Sequence, residues 1–225
     1  MDDLKRRALT GLARFQVALA LIIFLPAWSL RYWQGLLYWL VFGAACLATT
    51  LYFLRRDPAL VARRMSAGPG AENEPRQKLI MSFAVGAMIA LYLVSALDYR
   101  FGWSHVPPAV SLIGDVFVAL GFVGIFWTFR ANAYAAATVR VERGQPVIAT
   151  GPYAIVRHPM YAAALPLFLA TPPALGSWWG LVPAALIAAA IVWRLTDEET
   201  HLARDLAGYE AYRRTVRARL VPGVW

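Results

Sequence analysis

Side chains capable of chemistry stand at both ends of one apolar hairpin in the last third of the chain. Residues 157–161 read Arg-His-Pro-Met-Tyr and precede the first arm, and residues 194–199, which hold Arg, Asp and two Glu, follow the second. A Gly-Ser pair at 176–177 predicts a turn between the arms. Because a hairpin returns to the side from which it starts, the two polar ends are expected to lie together and to form a pocket.

The composition is that of a membrane protein. The chain is 60% hydrophobic and 16% charged, whereas soluble domains are roughly 45–50% apolar and about 25% charged. Four apolar runs approach the ~20 residues that a helix needs to cross the hydrocarbon core: 12–30, 35–54, 79–97 and 110–129. Two shorter or proline-interrupted runs, 161–175 and 178–195, are interpreted as a fifth and a sixth span. We therefore predict an all-α, polytopic membrane helix bundle of about six spans, the last two a short hairpin, with a cytoplasmic C-terminal amphipathic helix.

The basic residues predict the orientation. With six spans, 20 of the 22 Lys and Arg residues fall on one side of the membrane, and only Arg31 and Arg100 fall on the other. Because positively charged loops stay in the cytoplasm, both termini are predicted to be cytoplasmic, in a plasma or inner membrane. Topology and contact with membrane lipids explain the net charge of +9, so no nucleic-acid partner is expected.

Two regions are predicted along the chain. Residues 1–130 form an N-terminal four-span membrane region, and residues 131–225 form a catalytic region made of a loop, the hairpin and the C-terminal helix. The loop 130–157 is long for a compact membrane protein. Its stretch 146–149 is apolar, so the loop is expected to be ordered against the membrane face.

Other local patterns are simpler. Asp57-Pro58 offers a helix cap and a first-turn proline, which predicts a short surface helix over 59–65. The stretch 66–74 reads as a cytoplasmic linker. One cysteine and three dispersed histidines make a protein-bound metal improbable, and no phosphate-binding loop, dinucleotide fingerprint or serine elbow is present.

His158-Pro159 marks the start of the first hairpin arm. A residue before proline is pushed out of the α region, so the helix begins at Pro159 with free first-turn amides that favour an anion. The alternative is an ordinary capped membrane helix with Arg157 on a lipid phosphate.

Arg194 and Glu198 lie four residues apart and therefore share one helix face. The plain alternative is a salt bridge on a solvated helix. Placed across the hairpin from His158, the pair indicates a site.

These residues, in this order and spacing, resemble the isoprenylcysteine carboxyl methyltransferase family of integral membrane enzymes, to which phospholipid methyltransferases are related. The resemblance covers residues 138–225 and includes 151–153 (Gly-Pro-Tyr), 157–161, Arg194, the Glu pair at 198–199 and the tyrosines at 209 and 212. It implies an S-adenosylmethionine-dependent methyltransferase.

The resemblance also implies site residues. Cofactor contacts are expected from Gln145, Pro146, Val147, Ile148, Tyr153, His158, Pro159, Met160, Tyr161 and Glu198. Gln145 stands where the family commonly has histidine. Arg194 falls where the family places a substrate-binding arginine, so it is assigned the catalytic task of orienting the substrate's charge. Arg157 is assigned to substrate binding as well.

The acceptor stays open at this stage. The family suggests a lipophilic acceptor such as an isoprenylcysteine-type carboxylate, and a phospholipid or a small thiol are the alternatives. A noncatalytic lipid-binding scaffold or a small transporter is the alternative of another class.

Overall fold

The computed structural model describes residues 2–65, 68–72, 74–134 and 144–225. Within these ranges the chain forms eight α-helices and two short 3-10 turns, so the all-α prediction is confirmed. The helices are α1 (Asp2–Ala27), α2 (Trp33–Arg56), α3 (Pro58–Met65), α4 (Pro75–Phe101), α5 (Pro108–Ala131), α6 (Pro159–Ala174), α7 (Leu181–Asp205) and α8 (Tyr209–Thr215). The 3-10 turns are Pro69–Ala71 and Gly151–Ala154.

Four helices, α1, α2, α4 and α5, are long and apolar enough to cross a membrane. They coincide with the four long apolar runs of the sequence, and the protein is an integral membrane protein. The fifth and sixth predicted spans correspond to α6, which has 16 residues, and to α7, whose second half is charged. Their crossing of the bilayer stays a prediction.

The first predicted span needs correction at both ends. Helix α1 begins at Asp2 rather than at residue 12, and its first turns carry ion pairs from Arg6 and Arg7 to Asp3. It ends at Ala27 rather than at residue 30, because Trp28 adopts a φ of 52° that is incompatible with a right-handed helix.

The hairpin turns where the sequence predicts. Gly176 has a φ of 72°, a conformation that glycine adopts without strain. The hydroxyl of Ser177 donates to Asp98 Oδ2 (2.5 Å) and accepts from the backbone N–H of Gly180 (3.0 Å). Asp98 is completely buried and also accepts from the Ser104 hydroxyl and N–H. This carboxylate therefore ties the hairpin turn to the end of α4.

Helix α6 lies directly against α5 because α5 presents glycines to it. A Cβ added at Gly114 would approach the Ala174 backbone nitrogen to 2.7 Å, and one at Gly121 would approach Leu167 Cβ to 2.7 Å. Small residues allow this close approach between helices in a membrane. The first arm of the hairpin is thus fixed along the length of α5.

Two helices outside the spans were predicted. The surface helix is confirmed as α3, and Asp57 caps it by accepting from the Leu60 N–H (3.0 Å). At the C-terminal end, α7 runs on to Asp205, and Gly208, with a φ of 86°, separates it from the short helix α8. The amphipathic and cytoplasmic character of the C-terminal helix stays a prediction. Part of the predicted ordered loop, 135–143, lies outside the described residues.

A glycine substitution tests the α5–α6 contact. Gly121→Val should destabilise the protein by roughly 1–3 kcal/mol, because the added methyls must displace the α6 backbone. Gly86→Val is the control, since a Cβ at Gly86 meets no atom within 4 Å. Thermal unfolding in detergent measures both. Equal melting temperatures for the two variants would contradict the proposed tight contact.

Candidate functional site

The polar ends of the hairpin contact each other, as predicted. Tyr161, in the first turn of α6, donates its hydroxyl hydrogen to Glu198 Oε2 of α7 (2.8 Å). Glu199, the next residue of α7, contacts the side chains of Arg157 and His158, which directly precede α6. The two adjacent glutamates therefore contact different partners at the start of α6.

Glu199 is the centre of a buried ionic cluster. It is 4% exposed and accepts from Arg157 Nε (2.7 Å) and Arg219 Nε (2.9 Å), with His158 Nε2 at 3.2 Å. Burial alone would raise the pKa of this carboxyl, but hydrogen bonds from His158, Arg157 and Arg219 hold the pKa well below its usual range. Glu199 is therefore ionised at every physiological pH.

The C-terminal tail closes this cluster. Backbone N–H groups of Arg157 and His158 donate to the carbonyls of Ala218 (2.9 Å) and Arg219 (3.0 Å). The guanidinium of Arg157 also donates to the carbonyls of Val216 (2.9 Å) and Arg217 (2.7 Å). Because Arg157 is 8% exposed and bound to the tail in this way, its described contacts are those of a residue that positions α6. The role of the tail was missed by sequence reasoning.

Arg194 takes a different partner from the one its spacing indicates. Its described ion pair is with Glu72 (2.7 Å), and it donates as well to Gln77 Oε1 (3.0 Å) and to the Tyr161 hydroxyl (3.0 Å). Tyr161 thus lies between Arg194 and Glu198. Glu72 belongs to the stretch interpreted as a linker, and no local pattern signals that it returns to contact α7.

One cavity adjoins this network at Tyr161 and Glu198; we name it the polar pocket. All ten residues that the resemblance implies for cofactor binding line it, together with Arg157. Sequence reasoning did not assign the remaining lining residues, which are Asn132, Tyr134, Leu202, Leu206, Tyr209 and Tyr212. Arg194 does not line it.

Tyrosines form much of the wall of the polar pocket. Tyr153 accepts from Asn132 Nδ2 (3.0 Å), and burial raises its pKa to about 12. Tyr212 donates to the Tyr153 carbonyl (2.8 Å). Tyr209 is 3% exposed, and its hydroxyl finds no hydrogen-bond partner among the described residues. A buried hydroxyl without a hydrogen-bond partner is energetically costly, so a ligand that forms a hydrogen bond with it would be favoured.

A second cavity of about 350 Å³ adjoins the polar pocket; we name it the apolar chamber. Side chains of α4, α6 and α7 such as Met88, Phe168 and Ile187 line most of it, and Arg64 and Arg194 contribute its positive charge. Three residues border both cavities: Met160, Tyr161 and Glu198. Among the described residues, no group of His, Cys, Asp and Glu is arranged to hold a metal ion.

The cluster around Glu199 predicts a pH-dependent stability. Glu199→Gln should lower the free energy of unfolding at pH 7 by roughly 3 kcal/mol, since it leaves Arg157 buried without its charge partner. The folded pKa lies below the ordinary value of 4.5. The carboxylate therefore stabilises fully above pH 4.5 and progressively less as pH falls towards the folded pKa.

Thermal unfolding of wild type and variant across pH 3–8 measures this difference. Glu210→Gln is the control, because Glu210 is half exposed and its described ion pair is with the neighbouring Arg213. It should change stability by less than about 0.5 kcal/mol. A Glu199→Gln deficit that stays constant down to pH 3 would contradict the assigned cause.

Comparison with known proteins identifies a family for part of the chain. Residues 110–207 match the family model of phospholipid methyltransferases (PEMT), a range that holds α5, the hairpin, His158, Arg194 and Glu198. No curated protein matches the chain. The family match decides against a noncatalytic scaffold or transporter. Residues 110–207 are therefore a phospholipid methyltransferase family domain, and the protein is a membrane methyltransferase that uses S-adenosylmethionine as methyl donor.

Proposed function

We propose that the polar pocket binds S-adenosylmethionine and that the apolar chamber binds a lipophilic acceptor, so that the methyl group passes between the two cavities beside Met160, Tyr161 and Glu198. The single observation that carries this proposal is the shared wall. A polar cofactor and an apolar acceptor need different surroundings, yet their reacting atoms must come within about 3–3.5 Å of each other. Two adjoining cavities of opposite character meet both requirements.

The residues of the polar pocket fit the cofactor's groups. Glu198 offers a carboxylate for the cationic amine or the ribose hydroxyls, and Tyr153, Tyr209 and Tyr212 offer aromatic walls for adenine. First-turn amides of α6 are oriented to receive the cofactor's carboxylate. The Tyr209 hydroxyl, which has no hydrogen-bond partner in the described part of the chain, supports binding of a polar ligand at this place. When bound, the cofactor supplies an electrophilic methyl on a sulfonium.

Arg194 is proposed to orient the acceptor's charge. It reaches the apolar chamber and is held rigidly by Glu72, Gln77 and Tyr161. Arg64 adds a second guanidinium to the same chamber. These two cations outnumber the carboxylate of Glu198 in the chamber lining, and they therefore favour an acceptor that carries an anionic group on a long apolar chain. We therefore propose an isoprenylcysteine-type carboxylate or a similar lipophilic acid as the acceptor, in line with the resemblance.

Such an acceptor needs no general base, because a carboxylate already holds the reacting electron pair. The protein then contributes orientation through Arg194 and exclusion of water by the chamber walls. Arg157 is proposed to position α6 and His158 through Glu199 rather than to contact the acceptor.

A phospholipid amine is the second candidate, and the matched family's description favours it. An amine must lose a proton before it attacks. Glu198 borders both cavities and is the group that would accept that proton.

The orientation proposed for the enzyme follows from charge. With six spans and cytoplasmic termini, the polar pocket faces the cytoplasm, where S-adenosylmethionine is made. The apolar chamber then lies within the bilayer, from which a lipophilic acceptor arrives.

The cofactor assignment is tested by Glu198→Gln. Removal of the charge should weaken S-adenosylmethionine binding about tenfold or more, because hydrogen bonds to charged groups contribute ~1.5–3 kcal/mol. Isothermal titration calorimetry of the purified protein measures the dissociation constant. Glu74→Gln is the matched control, since Glu74 is exposed and does not border the pocket. Equal affinity in both variants would remove Glu198 from the site.

Arg194→Lys tests the acceptor. With S-farnesyl-N-acetylcysteine as acceptor, the variant should raise the acceptor KM about tenfold and leave cofactor affinity unchanged, because lysine cannot make the three bonds of the guanidinium. Arg76→Lys is the control at an exposed arginine paired with Asp197.

The pH profile of the same assay separates the two acceptor classes. Methylation of a carboxylate should change little between pH 6 and 9. An amine acceptor, protonated at neutral pH, should react faster as pH rises. Turnover of phosphatidylethanolamine with that rise, and none of the thioether acid, would replace the first candidate by the second.

A further inference from the structure

A third cavity, which is apolar, lies in the N-terminal region between α1, α2 and α3. It measures about 460 Å³; we name it the N-terminal groove. Its walls are mostly apolar, with Leu12 and Phe15 from α1, Phe53 from α2 and Leu60 from α3. All but one of its lining residues precede the matched domain, which begins at residue 110. Of its lining residues, the proposed methyl transfer uses Arg64 and no other.

The charge of the groove is one-sided. Arg7 and Arg64 line it, and among the described residues no aspartate or glutamate does. The described ion pair of Arg7 is a 3.7 Å contact with Asp3 in which both side chains are 63% exposed, and such a pair contributes little in water. Arg64 lies over the Phe129 ring (4.3 Å) and has other contacts as well, among them Met160 Sδ (3.7 Å). The groove thus presents two guanidiniums to an apolar space.

The arginines and the apolar residues of the groove are arranged in the order of the headgroup and the acyl chain of a lipid. Along α1, Arg7 stands eight residues before Phe15, or about 12 Å at 1.5 Å per residue, and α1 enters the bilayer in that direction. Arg64 lies in the last turn of α3 and lines the same cavity as Arg7. A phosphate at the two arginines would therefore direct its acyl chains along Leu12 and Phe15.

The groove also has room for a chain. A further cavity of about 360 Å³ continues from it into the bundle, and the two share Leu12, Phe15, Thr49, Thr50, Arg64 and Phe129. The deeper cavity is lined by aromatic side chains such as Phe42, Tyr92 and Phe122. An apolar cavity does not hold ordered water, so in a bilayer this space is available to a lipid chain.

We propose that the N-terminal groove is a binding site for one anionic phospholipid, whose phosphate contacts Arg7 and Arg64 and one of whose acyl chains occupies the deeper cavity. The bound lipid would not be the acceptor itself, but its acyl chain would border the apolar chamber, because the deeper cavity and that chamber share Arg64, Met88, Ile125, Ala164 and Phe168. Because Arg64 also borders the apolar chamber, the lipid headgroup would hold that side chain at the junction of the two cavities.

Lipid retention tests this proposal without any measurement of methyl transfer. Purified protein is exchanged into detergent with equal amounts of phosphatidylglycerol and phosphatidylcholine, and native mass spectrometry counts the bound molecules. Wild type should retain one phosphatidylglycerol in preference to phosphatidylcholine. The double variant Arg7→Gln, Arg64→Gln should lose this preference, by about fivefold for each arginine.

Two comparisons make the outcome specific. Arg14→Gln with Arg55→Gln removes the same charge from exposed positions of α1 and α2 that do not line the groove, and it should retain the lipid. Gly11→Phe fills the groove without a change of charge, at a position where a Cβ meets no atom within 4 Å. It should expel the lipid while the protein stays folded.

The source of the phosphate is decided in the same experiment. Millimolar glycerol phosphate, which has the head and no chain, should not displace the lipid from wild type. Displacement by glycerol phosphate, retention by Gly11→Phe, or equal loss in the Arg14 and Arg55 control would each overturn the proposal. Such results would indicate a site for free anions, or an unspecific attraction of anionic lipids to the protein surface, instead of a specific lipid site.

Discussion

The carboxylate of Glu199 is the interaction on which the rest of the candidate site depends. It joins three segments that are distant in the sequence: the entry to α6 through Arg157 and His158, its own helix α7, and the tail through Arg219. A buried carboxylate is expensive unless its charge is compensated. The groups that compensate the charge of Glu199 are Arg157, His158 and Arg219. They belong to the segments that form the pocket wall, so the contacts that make the burial of Glu199 favourable also hold this wall in place. Asp98 has a similar task at the opposite end of the hairpin, where it holds the turn.

Local features of the sequence were enough for much of this arrangement. The Gly-Ser turn at 176–177, the proline that starts α6 and the apolar arms predict a hairpin with its polar ends together, and the structure confirms it. Apolar length alone predicts the four N-terminal spans. Signals of this kind act between neighbours in the chain, or repeat with the period of a helix, and so they can be read from one sequence.

Partners that meet across long stretches of chain could not be found in this way. Glu72 and Gln77 reach Arg194 from more than 110 residues away, and nothing in the loop around Glu72 distinguishes it from a solvated linker. The spacing of Arg194 and Glu198 indicates a local ion pair, but Tyr161 lies between them. The break at Gly208 and the pairing of the tail with residues 157–158 likewise depend on tertiary contacts.

The adjacent residues Glu198 and Glu199 explain how one helix can both hold the site together and take part in it. Successive side chains on an α-helix point ~100° apart. Glu199 faces the start of α6 and the tail, whereas Glu198 faces Tyr161 and both cavities. Because Glu199 and its cationic partners fix α7 against α6, Glu198 need not contribute to that contact and can present its charge to a ligand. The N-terminal region also helps to hold the site together, because Glu72 of that region forms an ion pair with Arg194. A loop of that region fixes the guanidinium at the apolar chamber, so the first spans do more than anchor the matched domain in the membrane.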